Sequence, residues 1–233
     1  TGLITRVIGF FYRIYLSRLF GEEGMGIYQL LSPALSLSFS LTAAGYQTAI
    51  SKYVAADSAK RPSGNLKPLL AGISITLPLS LVTNAILFFS ADPIGIFLLK
   101  DHRTVPMLRI LSFSVPFAAL HACINVYFYG KKKASVPALT QLLEQLARVS
   151  CVFLVTGADL AEGRTPSINA AVLGLTVGEI FSMLIALVCL YIHLYPDSSI
   201  LSLQNICPSV PVYRDLLGMA LPLTANRLVL NIL

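Results

Sequence analysis

The chain contains no tryptophan, four cysteines, three histidines and only 12% charged residues. Each shortage excludes something. Soluble domains carry about 25% charged residues, so this chain lacks the surface of a water-soluble globule. The missing tryptophan removes the best marker of a membrane–water interface and leaves that role to 12 phenylalanines and 10 tyrosines. Cys123, Cys151, Cys189 and Cys207 are widely spaced, without a CxxC pair or a Cys/His cluster. That excludes a zinc site and predicts free thiols acting as small hydrophobes. His102, His121 and His193 are isolated in sequence and read as structural. There is no GxSxG, HExxH, Walker loop or dinucleotide fingerprint. No catalytic residue, metal or cofactor is called for. The net charge of +6 is not a nucleic-acid signal, because no basic stripe alternates with aromatics.

What is present is long apolar sequence: 55% of residues are hydrophobic and the mean hydropathy is +0.75. A spanning helix needs about 20 mostly apolar residues. Candidate spans run about 1–20, 27–50, 68–90, 104–129, 135–156 and 168–194, and a further one starts near Val212 and is cut off. The fold class is therefore an all-α polytopic membrane protein. There is no basic-then-apolar signal peptide. The chain starts at Thr1 and ends at Leu233 inside an apolar run, which predicts a piece of a longer membrane protein.

The connections alternate in charge. Lys52, Lys60, Arg61 and Lys67 flank one, Lys131, Lys132 and Lys133 fill another, and Arg214 lies in a third. The intervening connections, 21–26, 91–103 and 157–167, are rich in acids, with Glu22, Glu23, Asp92, Asp101, Asp159 and Glu162. The positive-inside rule places the basic set, and the amino end, in the cytoplasm. Residues 195–213 form the longest connection, broken by Pro196, Pro208 and Pro211, with room for a short interfacial helix over 200–206. It reads as a cytoplasmic join between one bundle over 1–194 and a second that begins at 214.

Charges inside the spans need a reason, because a charge at membrane depth costs roughly 3 kcal/mol on insertion scales. Arg6 and Arg13 are seven residues apart, on nearly the same face of the first helix. Two readings stand for them: snorkelling to headgroups, or facing a cavity. Arg18 lies five residues beyond Arg13 and reads as interfacial or at a cavity rim. Glu144 and Arg148 form an i, i+4 pair with the acid first, the favoured order, with Gln141 and Gln145 extending the polar stripe. This pair either neutralises itself or lines a path. Glu179 follows Gly174 and Gly178, small residues that let helices approach closely. It either pairs with an arginine across the bundle or binds a coupling proton or cation. Arg227 follows Pro222 in the last, truncated span. Prolines and glycines inside the spans, such as Pro78, Pro116 and Pro222, read either as packing irregularities or as hinges. Four arginines (Arg6, Arg13, Arg148, Arg227) against Glu144 and Glu179 make a net-positive membrane interior, suited to an anionic guest.

Several strings point further. Thr5-Arg6-Val7-Ile8-Gly9-Phe10, Ser17-Arg18-Leu19-Phe20-Gly21, Gly26-Ile27-Tyr28-Gln29-Leu30 and Gly45-Tyr46-Gln47-Thr48 occur in order. Tyr127-Phe128-Tyr129-Gly130 and Gln141-Leu142-Leu143-Glu144-Gln145-Leu146-Ala147-Arg148 follow. This ordered set resembles the polysaccharide flippase branch of the multidrug/oligosaccharidyl-lipid/polysaccharide (MOP) exporter superfamily, within it the stage V sporulation protein B type. The resemblance implies a six-helix lobe of a MATE/MOP-type two-lobe transporter plus the start of helix seven. It also implies a bacterial cytoplasmic membrane location and a central cavity that alternates between the two faces. The implied activity is outward flipping of a lipid-linked sugar or peptidoglycan precursor. Arg6 and Arg18 match the pattern of the related lipid II flippases, while the next cavity arginine of those proteins falls on Tyr12, one position from Arg13. With that activity, the net-positive interior assigns pyrophosphate binding to Arg6, Arg13, Arg148 and Arg227, with Glu144 and Glu179 positioning them or coupling ion movement. The implied partners are a lipid-linked anionic sugar, membrane lipid, the C-terminal lobe of the same protein and cell-wall synthases, with no nucleic acid. Two alternatives remain at this level: a cation-coupled multidrug exporter of the same superfamily, and a non-transporting scaffold for wall or spore-envelope synthesis.

Overall fold

The computed structural model describes residues 2–60, 66–194 and 210–232. Its helices are α1 (Gly2–Leu30), α2 (Ser32–Phe39), α3 (Gly45–Lys60), α4 (Lys67–Phe89), α5 (Ala91–Pro93), α6 (Thr104–Gly130), α7 (Ser135–Ala161), α8 (Asn169–Leu194) and α9 (Val210–Ile232). π-helical stretches, Ser40–Ala44 and Ile94–Leu98, join α2 to α3 and follow α5. No strand occurs among the described residues. Four helices (α4, α6, α7 and α8) are each long and apolar enough to cross a membrane. α1 carries Arg6, Arg13, Arg18, Glu22 and Glu23, and the apolar run after it is divided between α2, the π-helical stretch and α3.

The sequence predicts a connection over 21–26, but the chain is helical there, and the whole change of direction occurs at Gly21. Its φ of 67° and ψ of −174° lie in a region essentially reserved for glycine. Continued straight, the helix would place Arg6 and Ser32 about 39 Å apart. Instead both line one cavity of about 780 Å³, and Tyr12 and Leu16 pack in one cluster with Met25 and Tyr28. Gly21→Ala is therefore expected to cost about 1–3 kcal/mol. The loss is readable as a fall of several degrees in the melting temperature of the detergent-purified protein. An unchanged melt would show that the bend does not depend on glycine.

α6 is the central helix. It packs against α3, α4 and α8, and α7 packs against α8. Ile50, Val54, Tyr127, Phe128, Leu216 and Ala220 are buried in one cluster, which ties α3, α6 and α9 together. A second cluster joins Leu31 to Leu108, Leu111 and Val172. Between membrane helices, where lipid is as apolar as leucine, hydrogen bonds and close packing supply the adhesion. Thr76 Oγ1 lies 3.2 Å from Cys123 Sγ, Thr140 Oγ1 donates to Asn125 Oδ1 at 3.1 Å, and Thr176 Oγ1 donates to the Ile110 carbonyl at 3.3 Å. These link α6 to α4, α7 and α8 in turn. Outward faces expose large apolar side chains such as Phe89, Phe97, Leu154 and Ile192, as a lipid-facing surface requires.

Helices α4, α6 and α9 continue through Pro78, Pro116 and Pro222, while Pro33 sits in the first turn of α2. α7 runs on to Ala161, past the predicted end at 156. α9 begins at Val210, so the last part of the predicted connection is helical. The interfacial helix expected over 200–206, Arg61 and Cys207 lie outside the described residues. At the Arg103 end of α6, the Arg103 guanidinium donates to Glu23 Oε1 at 2.7 Å and to Asp101 Oδ2 at 3.2 Å. This joins the resumed part of α1 to the loop before α6. The side-chain hydrogen bond from Arg103 holds the Asp101 carboxyl below the usual carboxylate range. The contribution of this pair is present at and above ordinary carboxylate pKa values and is lost as pH falls through the lowered one.

Candidate functional site

α1 presents Arg6, Gly9, Arg13 and Leu16 at alternating spacings of three and four, the stripe of one helical face. After the bend, Met25, Tyr28, Gln29 and Ser32 repeat that spacing on the opposite wall. α7 closes the cavity with Gln145 and Arg148. α1 is held on α7 by Tyr15, whose hydroxyl lies 2.9 Å from Thr156 Oγ1 and whose ring stacks on Phe153 at 4.1 Å between centroids. The result is a cavity whose lining, among the described residues, has three guanidinium groups and no carboxylate. A smaller recess of about 210 Å³ shares Arg13, Tyr28 and Gln29 and is otherwise largely apolar, with Leu31, Leu35 and Leu111 in its wall. A charged cavity thus adjoins an apolar one.

Tyr12 is in the lining of this cavity but only 7% exposed, and its hydroxyl is buried without a hydrogen bond among the described residues. Arg148 Nε is likewise buried without a partner there. Buried polar groups are normally satisfied, and among the described residues these two are not.

The sequence-derived residues divide clearly. Arg6, Arg13 and Arg148 come together around the cavity. Arg18 is exposed on α1, and Arg227 is exposed on α9; neither is in the lining. Glu144 takes the Arg148 guanidinium at 2.5 Å. Glu179 pairs with a histidine rather than with an arginine: its Oε2 lies 3.2 Å from His121 Nδ1. The side chains of His121 and Glu179 are 15% and 16% exposed, those of Arg148 and Glu144 20% and 14%. The ligand atoms of His121, Glu144 and Glu179 all lie within 4.8 Å of one another. Isolated in sequence, His121 is therefore part of a polyvalent cluster, although the local spacing offered no metal-ligand set. Arg109 in α6, another charge the hydropathy pattern did not single out, pairs with Asp92 at 2.6 Å.

Close helix contact makes this cluster possible. A Cβ on Gly174 would lie 3.0 Å from the Arg148 carbonyl oxygen and against the Val152 methyl, and one on Gly178 would lie 3.2 Å from the Glu144 carbonyl oxygen. The two glycines let α8 lie directly on the stretch of α7 that carries Glu144 and Arg148.

A family model described as polysaccharide biosynthesis protein matches residues 1–233. The chain belongs to that family. This member of the polysaccharide biosynthesis protein family is 32% identical to stage V sporulation protein B of Bacillus subtilis (strain 168) over 232 residues, 99% of this chain and 45% of that protein. It is 25% identical to the lipid II flippase MurJ of the same organism over 166 residues, 67% of this chain and 30% of that protein. The chain thus spans less than half the length of these curated relatives. Among solved structures, an inward-facing multidrug resistance MATE family transporter of the MOP superfamily superposes with a TM-score of 0.67 at 16% identity. That superposition covers 98% of this chain and 51% of that chain. A MATE bound to Br-NRF gives a TM-score of 0.65 at 18% identity, over 98% of this chain and 53% of that one. The fold is therefore that of one half of a MATE-type transporter, and the protein is a multi-pass membrane protein.

Proposed function

We propose that this chain is the first lobe of a flippase that carries a lipid-linked, anionic sugar or peptidoglycan precursor outward across the bacterial cytoplasmic membrane by alternating access. One observation carries the reading: a cavity lined by Arg6, Arg13 and Arg148, with no carboxylate in its wall among the described residues. Arginine forks match phosphate oxygens in pairs and remain charged at any physiological pH. Glu144 aims the Arg148 guanidinium. The adjoining apolar recess suits the first isoprenoid units, so the headgroup crosses while the tail remains in lipid. The name of the lipid II flippase relative supports the same substrate class. An exporter of organic cations needs carboxylates in its cavity wall, and among the described residues this lining has three arginines instead. The basic connections around Lys52 and Lys131–Lys133 place the amino end in the cytoplasm.

The test is translocation by the full-length protein in sealed vesicles. Prenyl diphosphate sugars are expected to flip, and the same prenyl chain with an uncharged headgroup is expected to flip at least tenfold more slowly. Equal rates for the two would refute the anion-binding reading.

A further inference from the structure

We propose that His121, Glu144 and Glu179 together hold one proton, and that this proton and the anion in the cavity tighten each other's binding through Arg148. The inference rests on the anion-cavity reading above and adds a second ligand to it.

Charge balance supports it first. Two carboxylates, Glu144 and Glu179, share the cluster with one guanidinium, Arg148. With His121 neutral, one negative charge is left uncompensated at membrane depth, where it is strongly disfavoured. One added positive charge restores neutrality. A divalent ion would overshoot, and an imidazole nitrogen suits transition metals rather than a hard alkali cation. A proton fits both limits. The His121 Nδ1 to Glu179 Oε2 distance of 3.2 Å gives it a place to be shared.

Geometry supplies the link. Arg148 belongs to both sites: it lines the cavity, and its Nη2 is bonded to Glu144 Oε1. In the unprotonated cluster two carboxylates pull against the field that Arg148 presents to the cavity. Adding the proton cancels one of them. A unit charge about 10 Å away in a protein-like dielectric alters anion affinity on the order of tenfold. Reciprocity requires the anion to favour the proton by the same factor. The groups facing the cluster are His121 from α6, Glu144 and Arg148 from α7 and Glu179 from α8. From α1, Tyr12 and Tyr28 approach Arg148, and Arg13 lies beside Tyr28.

The experiment measures binding of a prenyl diphosphate sugar to the full-length protein in nanodiscs at pH 5.5 and 8.5, at constant ionic strength. Both phosphates of this probe are esterified, so its own charge is constant across the range. The wild type is expected to bind on the order of tenfold more tightly at pH 5.5. Glu179→Gln, which removes one negative charge with little change of shape, is expected to bind tightly at both pH values. His121→Gln is expected to bind weakly at both. A merely structural role would weaken binding in both variants. Equal wild-type affinity at the two pH values overturns the coupling and leaves the anion cavity standing. Absence of binding at any pH overturns both. Tightening by sodium in place of a pH effect overturns the proton as the ligand.

Discussion

An Arg6→Ala, Arg13→Ala double variant of the full-length protein is expected to lose roughly 100-fold in affinity for a prenyl diphosphate sugar. The two guanidinium groups stand two turns apart on one stripe of α1, facing a common cavity. Each charge-assisted hydrogen bond contributes about 1.5–3 kcal/mol. Both residues are exposed to the open cavity, so the lower end applies. Together they supply about 3 kcal/mol, which is roughly 100-fold in Kd. Paired Lys substitutions are expected to recover only part of the loss, because lysine supplies charge without the planar fork. Arg164→Ala serves as the control: this arginine is exposed and paired with Glu162 in the connection between α7 and α8, and is not in the cavity lining. Its affinity should stay within twofold of the wild type. Binding by the double variant at wild-type strength would remove α1 from the anion site.

Gly174→Leu is expected to be the most damaging single change to the fold. Its Cβ would already crowd the Arg148 carbonyl oxygen and the Val152 side chain, and the rest of the side chain has no space between α7 and α8. Overpacking a tight contact costs about 1–3 kcal/mol even where neighbours adjust. Here one neighbour is backbone, so the helices must part and carry Glu144 and Arg148 with them. The expected readout is loss of the monodisperse species in detergent, or a melt lowered by ten degrees or so. Gly178→Ala meets its nearest atom at 3.2 Å and is expected to fold with a smaller deficit, which leaves binding measurable. Gly157→Ala on α7 meets nothing within 4 Å. It should be neutral or slightly stabilising, since alanine is the better helix former. Equal melts for Gly174→Leu and Gly157→Ala would refute the close-packing account.

The long helices were legible because membrane insertion depends on local apolar length. α6 runs over Thr104–Gly130 against a predicted 104–129, and α4 over Lys67–Phe89 against 68–90. The region 21–26 was less legible. Its glycines and acids read as a loop, whereas a single residue in a glycine-only conformation makes the whole turn and helix resumes beside it. The Glu144–Arg148 pair could be read from spacing, since four residues along a helix is one step on the same face. The partner of Glu179 could not. His121 lies 58 positions away, and no local pattern marks a histidine that meets a carboxylate only when two helices pack. Tyr12 shows the same limit, because only the fold reveals that this residue joins the arginines in the cavity lining with its hydroxyl buried.

Apolar length, charge alternation in the connections and helical spacing thus determine the membrane class, the helix order and the arginine stripe of α1. These quantities depend on neighbours a few residues apart, and the chain carries them in any packing. Tertiary structure alone decides that Arg148 joins Arg6 and Arg13 while Arg227 does not. It also decides that His121 completes a cluster with Glu144 and Glu179. Those outcomes depend on how closely α1, α6 and α8 approach α7, and that approach is set by the bend at Gly21 and by the backbone contact at Gly174.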